Sequence, residues 1–171
     1  MTNRLLILLM ILFIGITSSC GMEQLQKDSS FIKELPELTN INCRFKQEKH
    51  LKNINKLIIS GGDFSFDKNK GVVFKTKYPI KSVVYYNNYD YKELNDIMNA
   101  ISTKNYSVIQ KVFDIYFEKN DNKWVLKLLP KQKTQVCDII SFISISGDKN
   151  INKIVISMLN GNKTVLWFLT N

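Results

Sequence analysis

The sequence predicts a mainly β fold with a few helices, organised as one long, curved antiparallel sheet. Apolar and polar residues alternate with a period of two over most of the chain after residue 40. Turn signals such as Asn160-Gly161 recur at the short intervals that separate hairpin strands. These two observations predict roughly eight to ten strands. A sheet of that size must curl because strand twist accumulates. The few helices cannot cover its apolar face completely, so the concave side is predicted to hold an incompletely filled apolar cavity.

The first half of the domain is predicted to be a four-stranded meander. Ile41, Cys43 and Phe45 alternate with polar neighbours, as on a half-buried strand. Ser60-Gly61-Gly62 lies inside the second strand and predicts a bulge there. The four predicted strands span 41–48, 57–67, 72–78 and 80–86, with turns at 53–55 and 68–71.

Helical spacing appears in one insert in the middle of the chain. Leu94, Ile97, Met98 and Ile101 predict a helix that begins near Tyr91, and a second short helix is predicted over 106–111. Strands return at 112–119, 123–130, 136–146, 152–159 and 163–170. A further short helix that begins after Ser29 or Ser30 and ends at Pro36 is predicted before the sheet.

The first 20 residues have the pattern of an export signal. Arg4 is followed by the apolar run Leu5–Ile16 and by the small residues 17–19. Twelve residues span about 18 Å as a helix, which is too short for about 30 Å of hydrocarbon. Cys20 after this run resembles a lipobox cysteine, so we expect a signal peptide over 1–19, lipidation of Cys20, a tether over 20–30 and a single domain over 31–171. Ordinary signal cleavage that leaves Cys20 a free thiol is the alternative.

The net charge and the cysteines bear on the predicted partners and on disulfide formation. The formal net charge is +9, and it falls to +8 without the leader, whose only charge is Arg4. Because an exported protein does not meet nucleic acid, the dispersed lysines predict a solvated outer face, or attraction to anionic headgroups or an acidic partner. Cys43 and Cys137 lie in apolar runs predicted to be strands, and we expect unbridged thiols there, although export permits a disulfide.

No pattern for catalysis or for metal binding stands out. His50 is the only histidine and lies in a polar stretch, which predicts an exposed surface residue. The sequence has no Cys/His pair with metal spacing, no G-x-S-x-G elbow and no phosphate loop. We therefore expect a protein that is not an enzyme and that carries no metal or cofactor.

Several short motifs follow one another in a defined order. They are Phe45-Lys46-Gln47, Gly62-Asp63-Phe64, Gly71-Val72-Val73-Phe74, Pro79, Trp124 to Pro130, and Asn162-Lys163-Thr164 running to Phe168. Together they resemble the F-x-Q, G-x-F, proline, W-x-L-x-L-x-P and D-x-T motifs of the LolA/LolB-type outer-membrane lipoprotein carrier proteins. The resemblance runs from about Phe31 to the end of the sequence. Phe74 replaces a usual Trp, Asn162 replaces Asp, and Lys68 falls near a lid-latching arginine of the soluble carriers.

The resemblance implies a half-open β-barrel, covered by helices, over a hydrophobic cavity that holds acyl chains. It implies a monomeric carrier or acceptor, anchored through the Cys20 lipid at the periplasmic face of the outer membrane. Its partners would be the acyl chains of lipoproteins or lipids and a donor or acceptor envelope protein. A structural or interaction lipoprotein with a filled core is the alternative, and a lipid hydrolase is a third reading. The residues predicted to line the cavity are Phe45, Phe64, Phe66, Phe74, Trp124, Leu126 and Trp167.

Overall fold

A computed structural model describes residues 23–24, 35, 40–67, 71–86 and 92–169. In this part of the chain a single ten-stranded sheet has the order β1-β6-β7-β8-β9-β10-β2-β3-β4-β5, and every pair is antiparallel. The strands are β1 (Glu23–Gln24), β2 (Asn40–Leu51), β3 (Lys56–Asp67), β4 (Gly71–Tyr78), β5 (Ser82–Tyr86), β6 (Phe113–Asn120), β7 (Lys123–Pro130), β8 (Ile140–Gly147), β9 (Ile151–Met158) and β10 (Lys163–Leu169). The predicted mainly β fold is confirmed.

The sheet is curved and does not close on itself. Ser82 of β5 and Ile143 of β8 line the same cavity, although six inter-strand steps separate their strands. A flat sheet would place those strands about 29 Å apart at ~4.8 Å per step. The sheet therefore wraps around its concave face as a half-open barrel whose two edge strands, β1 and β5, do not pair with each other.

Two helices cover part of the concave face. Helix α1 (Lys92–Thr103) packs against β4 and β5, and the buried side chains of Ile97, Met98 and Ile101 follow the predicted helical spacing. Helix α2 (Ser107–Val112) leads directly into β6 and buries Ile109. Among the described residues, no helix is both long and apolar enough to cross a bilayer.

The glycine pair in β3 marks the predicted bulge. The register with β4 shifts between Gly61 and Gly62. A Cβ at Gly62 would collide with the carbonyl oxygen of Lys75, because the backbone of β4 passes too close for any side chain. Beyond this point the first five residues of β3, Lys56–Ser60, extend past the end of β4.

One predicted strand is corrected by the structure. The segment 136–146 begins as a 3-10 turn over Gln135–Asp138, and the strand starts only at Ile140. Thr134, at the start of this turn, hydrogen-bonds from its hydroxyl to the carbonyl of Lys131, 2.8 Å away, so the backbone is held in a turn before β8 begins. The predicted signal peptide, most of the tether and of the helix after Ser29, and residues 68–70 of the predicted turn lie outside the described residues. Glu23 and Gln24, inside the predicted tether, pair with Phe117 and Tyr116, so this part of the segment is an edge strand of the sheet. Leu35, inside the predicted helix, lies in a bend and is buried.

Candidate binding cavity

The half-open barrel has two distinct ends, defined here by its turns. Leu51 pairs with Lys56, Thr76 with Ser82 and His50 with Lys163, so the β2–β3, β4–β5 and β9–β10 turns lie at one end. We call this end the open end. The β6–β7 and β8–β9 turns lie at the opposite end, because Trp124 next to the first turn pairs with Gly147 next to the second. We call that end the closed end.

A cavity of about 470 Å³ lies on the concave face and opens toward the open end. Its walls come from β2, β4, β5, α1, β8, β9 and β10, so nearly the whole curl of the sheet contributes. Eleven of its sixteen lining residues are apolar. The lining residues are Phe45, Gln47, Lys49, Phe74, Thr76, Ser82, Val84, Ile97, Ile140, Ile143, Ile145, Ile154, Ile156, Met158, Thr164 and Leu166.

Four phenylalanines separate the cavity from the closed end. The ring of Phe74 packs edge-on against Phe45 and Phe64, with centroids 4.9 and 5.0 Å apart. Phe64 in turn lies 4.6 Å from Phe168. Edge-to-face pairs at these distances hold ring orientations in place. Phe45 and Phe74 therefore form the floor of the cavity, and Phe64 and Phe168 support it from below.

The polar lining residues lie on one side of the cavity, nearer its mouth. Gln47 and Lys49 follow Phe45 on the same face of β2, and Thr164 is the cross-strand partner of Lys49. The Ser60 hydroxyl donates a hydrogen bond to Oε1 of Gln47 at 3.0 Å. Beside this polar side lies an isoleucine surface from β8 and β9, since Thr164 also pairs with Ile156. The cavity is thus amphipathic, with its polar atoms close to solvent.

Exposed apolar side chains surround the mouth. Ile80, at the β4–β5 turn, is 76% exposed, and Leu159, at the β9–β10 turn, is 60% exposed. The set at this end also includes Ile54, Leu57, Ile58, Ile59, Tyr78 and Ile139. The three turns that define the open end, taken with the strand residue on either side of each, carry Lys52, Lys56, Lys81 and Lys163 and no acidic residue. We call these exposed apolar residues and lysines together the rim. Apolar side chains beside lysines suit contact with a surface that is apolar and also carries anionic groups.

The closed end is packed and capped instead. Trp124 is buried, and its indole N–H donates to the carbonyl oxygen of Asp148 at 2.7 Å. The backbone N–H of Asn150 donates to the Asp148 carboxylate, which lowers the pKa of that group. The two turns at this end, among the described residues, are polar and expose no large apolar side chain.

The predicted lining residues are divided by the structure. Phe45 and Phe74 line the cavity, as the floor. Phe64, Phe66 and Leu126 point to the concave side but lie in the filled core, where Leu126 has no exposed surface. For these three residues the prediction of a cavity-lining role is corrected.

The predicted cavity-lining role of Trp124 and Trp167 is also corrected. Trp124 plugs the closed end rather than facing the void. Trp167 alternates with the lining residue Leu166 and therefore lies on the outer face, where the ammonium groups of Lys46 and Lys153 stand 5.5 and 5.7 Å from its ring centroid. The last strand is apolar on both faces, so alternation alone does not tell which face is inward.

The lining residues that sequence reasoning missed are mainly the isoleucines of β8 and β9. Ile143 and Ile145 alternate with serines, and they pair across the strands with Ile156 and Ile154. This alternation is the signal that could have identified them. Lys49, Gln47 and Thr164 carried no such signal, since polar residues at these positions also fit a solvated strand.

The outer face holds the lone histidine in a charged group. The Glu48 carboxylate accepts a hydrogen bond from Lys46 at 2.9 Å, and this bond lowers the pKa of Glu48. Nε2 of His50 lies 3.6 Å from the other carboxylate oxygen of Glu48. His50 is exposed, as predicted. These residues alternate with the cavity-facing Gln47 and Lys49, so the group is separated from the cavity by the sheet.

Cys43 and Cys137, the two cysteines in the described part of the chain, are free thiols in different settings. Cys43 pairs with Phe64 across β2 and β3, and burial raises the pKa of its thiol from 9.0 to about 11. Cys137 lies in the 3-10 turn rather than on the predicted strand, with Sγ 3.6 Å from an Asp138 oxygen. Within the described residues, no three His, Cys, Asp or Glu side chains are grouped closely enough to hold a metal ion.

No protein-family model matches this sequence, and no curated protein matches it significantly. An apolar void with a polar side near its mouth can bind by burial and can orient an amphiphile. Its lining, as the structure describes it, holds no nucleophile paired with a base.

Proposed function

We propose that this protein is a non-enzymatic, lipid-anchored binding protein that holds acyl chains in its cavity. In this proposal it acts as a carrier or acceptor of lipids or lipoproteins at the periplasmic face of the outer membrane. The observation that carries the proposal is the apolar cavity of about 470 Å³ that opens between exposed apolar side chains. A structural lipoprotein with a filled core has no need of such a void.

The energy of binding comes from removing the chain from water. Each buried CH₂ contributes ~0.8 kcal/mol, so a chain of about a dozen carbons gains on the order of 10 kcal/mol before the costs of association. The exposed apolar side chains of the rim give the chain an apolar surface along which it can leave toward a membrane or another protein. Binding and release then use the same opening.

A charge placed on the cavity wall tests the proposal. Ile156→Glu puts a carboxylate among the isoleucines, where bound ligand would have to desolvate it. The control is Val155→Glu, which adds the same charge one residue away on the outer face. We expect Nile red, a neutral fluorescent probe, to bind the parent protein and Val155→Glu equally and Ile156→Glu at least tenfold more weakly. A parent that binds no Nile red, or two variants that bind alike, would leave the filled-core lipoprotein as the better reading.

The anchor is proposed from Cys20 and the segment that precedes it. We expect Cys20→Ser to release the protein from membranes while the β domain stays folded, because one thiol would carry the acyl groups. Labelled palmitate incorporation and membrane fractionation measure the first effect, and circular dichroism measures the second. Incorporation that persists in Cys20→Ser contradicts the lipoprotein assignment.

A further inference from the structure

We propose that the cavity takes an amphiphile with one acyl chain and an anionic headgroup, and that Lys49 holds the headgroup. This inference rests on the acyl-chain binding proposed above and names the class of ligand. A fatty acid carboxylate and a lysophospholipid phosphate share this chemistry.

The charge of the lining points to an anion. Lys49 is the only charged residue among the sixteen that line the cavity, and none of the described lining residues is acidic. The neighbouring Glu48 is on the other face of β2, where it pairs with Lys46. Within the part of the chain that the structure describes, the Lys49 ammonium therefore has no carboxylate partner and lies at the mouth of an apolar void. An anion entering there would gain a charge-assisted hydrogen bond.

The hydroxyl groups nearby extend the same surface. Thr164 pairs directly with Lys49, and Thr76 pairs with Ser82 on the adjacent wall. Their hydroxyls can donate to the remaining oxygens of a carboxylate or phosphate. The isoleucines of β8 and β9 continue this surface, because Thr164 also pairs with Ile156, which pairs in turn with Ile143. The arrangement orients the ligand, with its headgroup toward β2 and β10 and its tail along the isoleucines.

The cavity has room for an acyl chain and holds a single cation. A volume of about 470 Å³ accommodates a chain of about a dozen carbons. Because Lys49 is the only charged residue of the described lining, we expect one headgroup, and with it one chain, per cavity. The ligand class is thus narrower than lipids in general.

Competition with Nile red below the micelle concentration tests the headgroup. The competitors are dodecanoate, dodecanol and dodecyltrimethylammonium, which share one tail and differ in charge. We expect dodecanoate to bind about fivefold more tightly than dodecanol, and the cationic amphiphile to bind most weakly, since a partly exposed ion pair has an effect of this size. Lys49→Met should abolish the preference for dodecanoate but keep dodecanol binding. Lys163→Met, which removes a charge at the same end from the outer face, should retain the preference.

A second competition tests the chain number and separates the two sources of the headgroup. Lysophosphatidylglycerol and dodecanoate should both displace Nile red, with the tighter of the two identifying the preferred headgroup, and diacyl phosphatidylglycerol should displace it at least tenfold less well. Equal displacement by dodecanoate and dodecanol, or loss of the preference in Lys163→Met as well, overturns the role of Lys49. Equal displacement by the one-chain and two-chain lipids overturns the single-chain inference. Either result leaves acyl binding intact, whereas absence of Nile red binding to the parent removes the proposed function itself.

Discussion

The closed and open ends of the barrel are built from the same strands and treat apolar residues in opposite ways. At the closed end Trp124 is buried and hydrogen-bonded, and polar residues occupy the turns. At the open end Ile80 and Leu159 are exposed around an unfilled cavity. Full burial of such a side chain would contribute about 1.5–3 kcal/mol. The fold can pack an end tightly, so the open end forgoes stability that the closed end obtains, as expected of a surface used for binding.

The largest expected effect is at the closed end. Trp124→Ala should lower the free energy of unfolding by about 3–5 kcal/mol, because it leaves a cavity and removes the donor to the Asp148 carbonyl. Trp124→Phe, which keeps an aromatic ring, should cost less. Denaturant unfolding monitored by circular dichroism measures both. A loss below about 1 kcal/mol in Trp124→Ala would mean that the closed end is not packed as described, and the contrast between the ends would fail.

The next effect compares the reactivity of thiols at the two ends. At pH 8 a Cys43 thiol with a pKa of about 11 has about 100-fold less thiolate than one at 9.0, but its thiolate is intrinsically more nucleophilic. Iodoacetamide should therefore modify Cys43 about tenfold more slowly than a thiol introduced by Thr164→Cys at the mouth. The folded state holds this proton more tightly, so the associated stability is present below pH 9 and is lost as the pH rises toward 11. Peptide-resolved mass spectrometry gives both rates. Equal rates would show that solvent reaches the Cys43 side of the barrel.

The smallest expected effect concerns the rim. Ile80→Ser should leave unfolding within about 0.5 kcal/mol of the parent, since the side chain is exposed. It should slow transfer of a fluorescent fatty acid from anionic vesicles about fivefold, because less apolar surface meets the bilayer. Leu169→Ser removes an exposed apolar side chain near the other end of β10 and should transfer at the parental rate. If both variants slow transfer equally, the rim has no special role.

Period-two alternation predicted the sheet well but not the depth of each side chain. Phe45, Phe64 and Phe66 share the concave side, yet only Phe45 faces the void. The difference depends on what lies across the curled sheet, such as Ile97 of α1, and alternation within one strand contains no information about that distance. The Trp167 prediction is wrong for a related reason, since its strand is apolar on both faces. The bulge at Gly61-Gly62 was predictable because a glycine pair inside a strand favours a bulge whatever lies across the sheet.

Strand β10 lies in the middle of the sheet, between β9 and β2, although it follows every other strand along the chain. The meander β2–β5 and the strands β6–β9 are each continuous in sequence, and only β10 hydrogen-bonds to both. During synthesis two half-sheets can therefore form early, but each keeps an additional unpaired edge, β2 in one and β9 in the other, until β10 has emerged. A chain stalled before residue 163 would present those edges to other molecules, and such edges promote aggregation. Completion of the sheet is thus tied to β10, which is made after the other nine described strands, and this order favours folding of the domain as one unit over folding in stages.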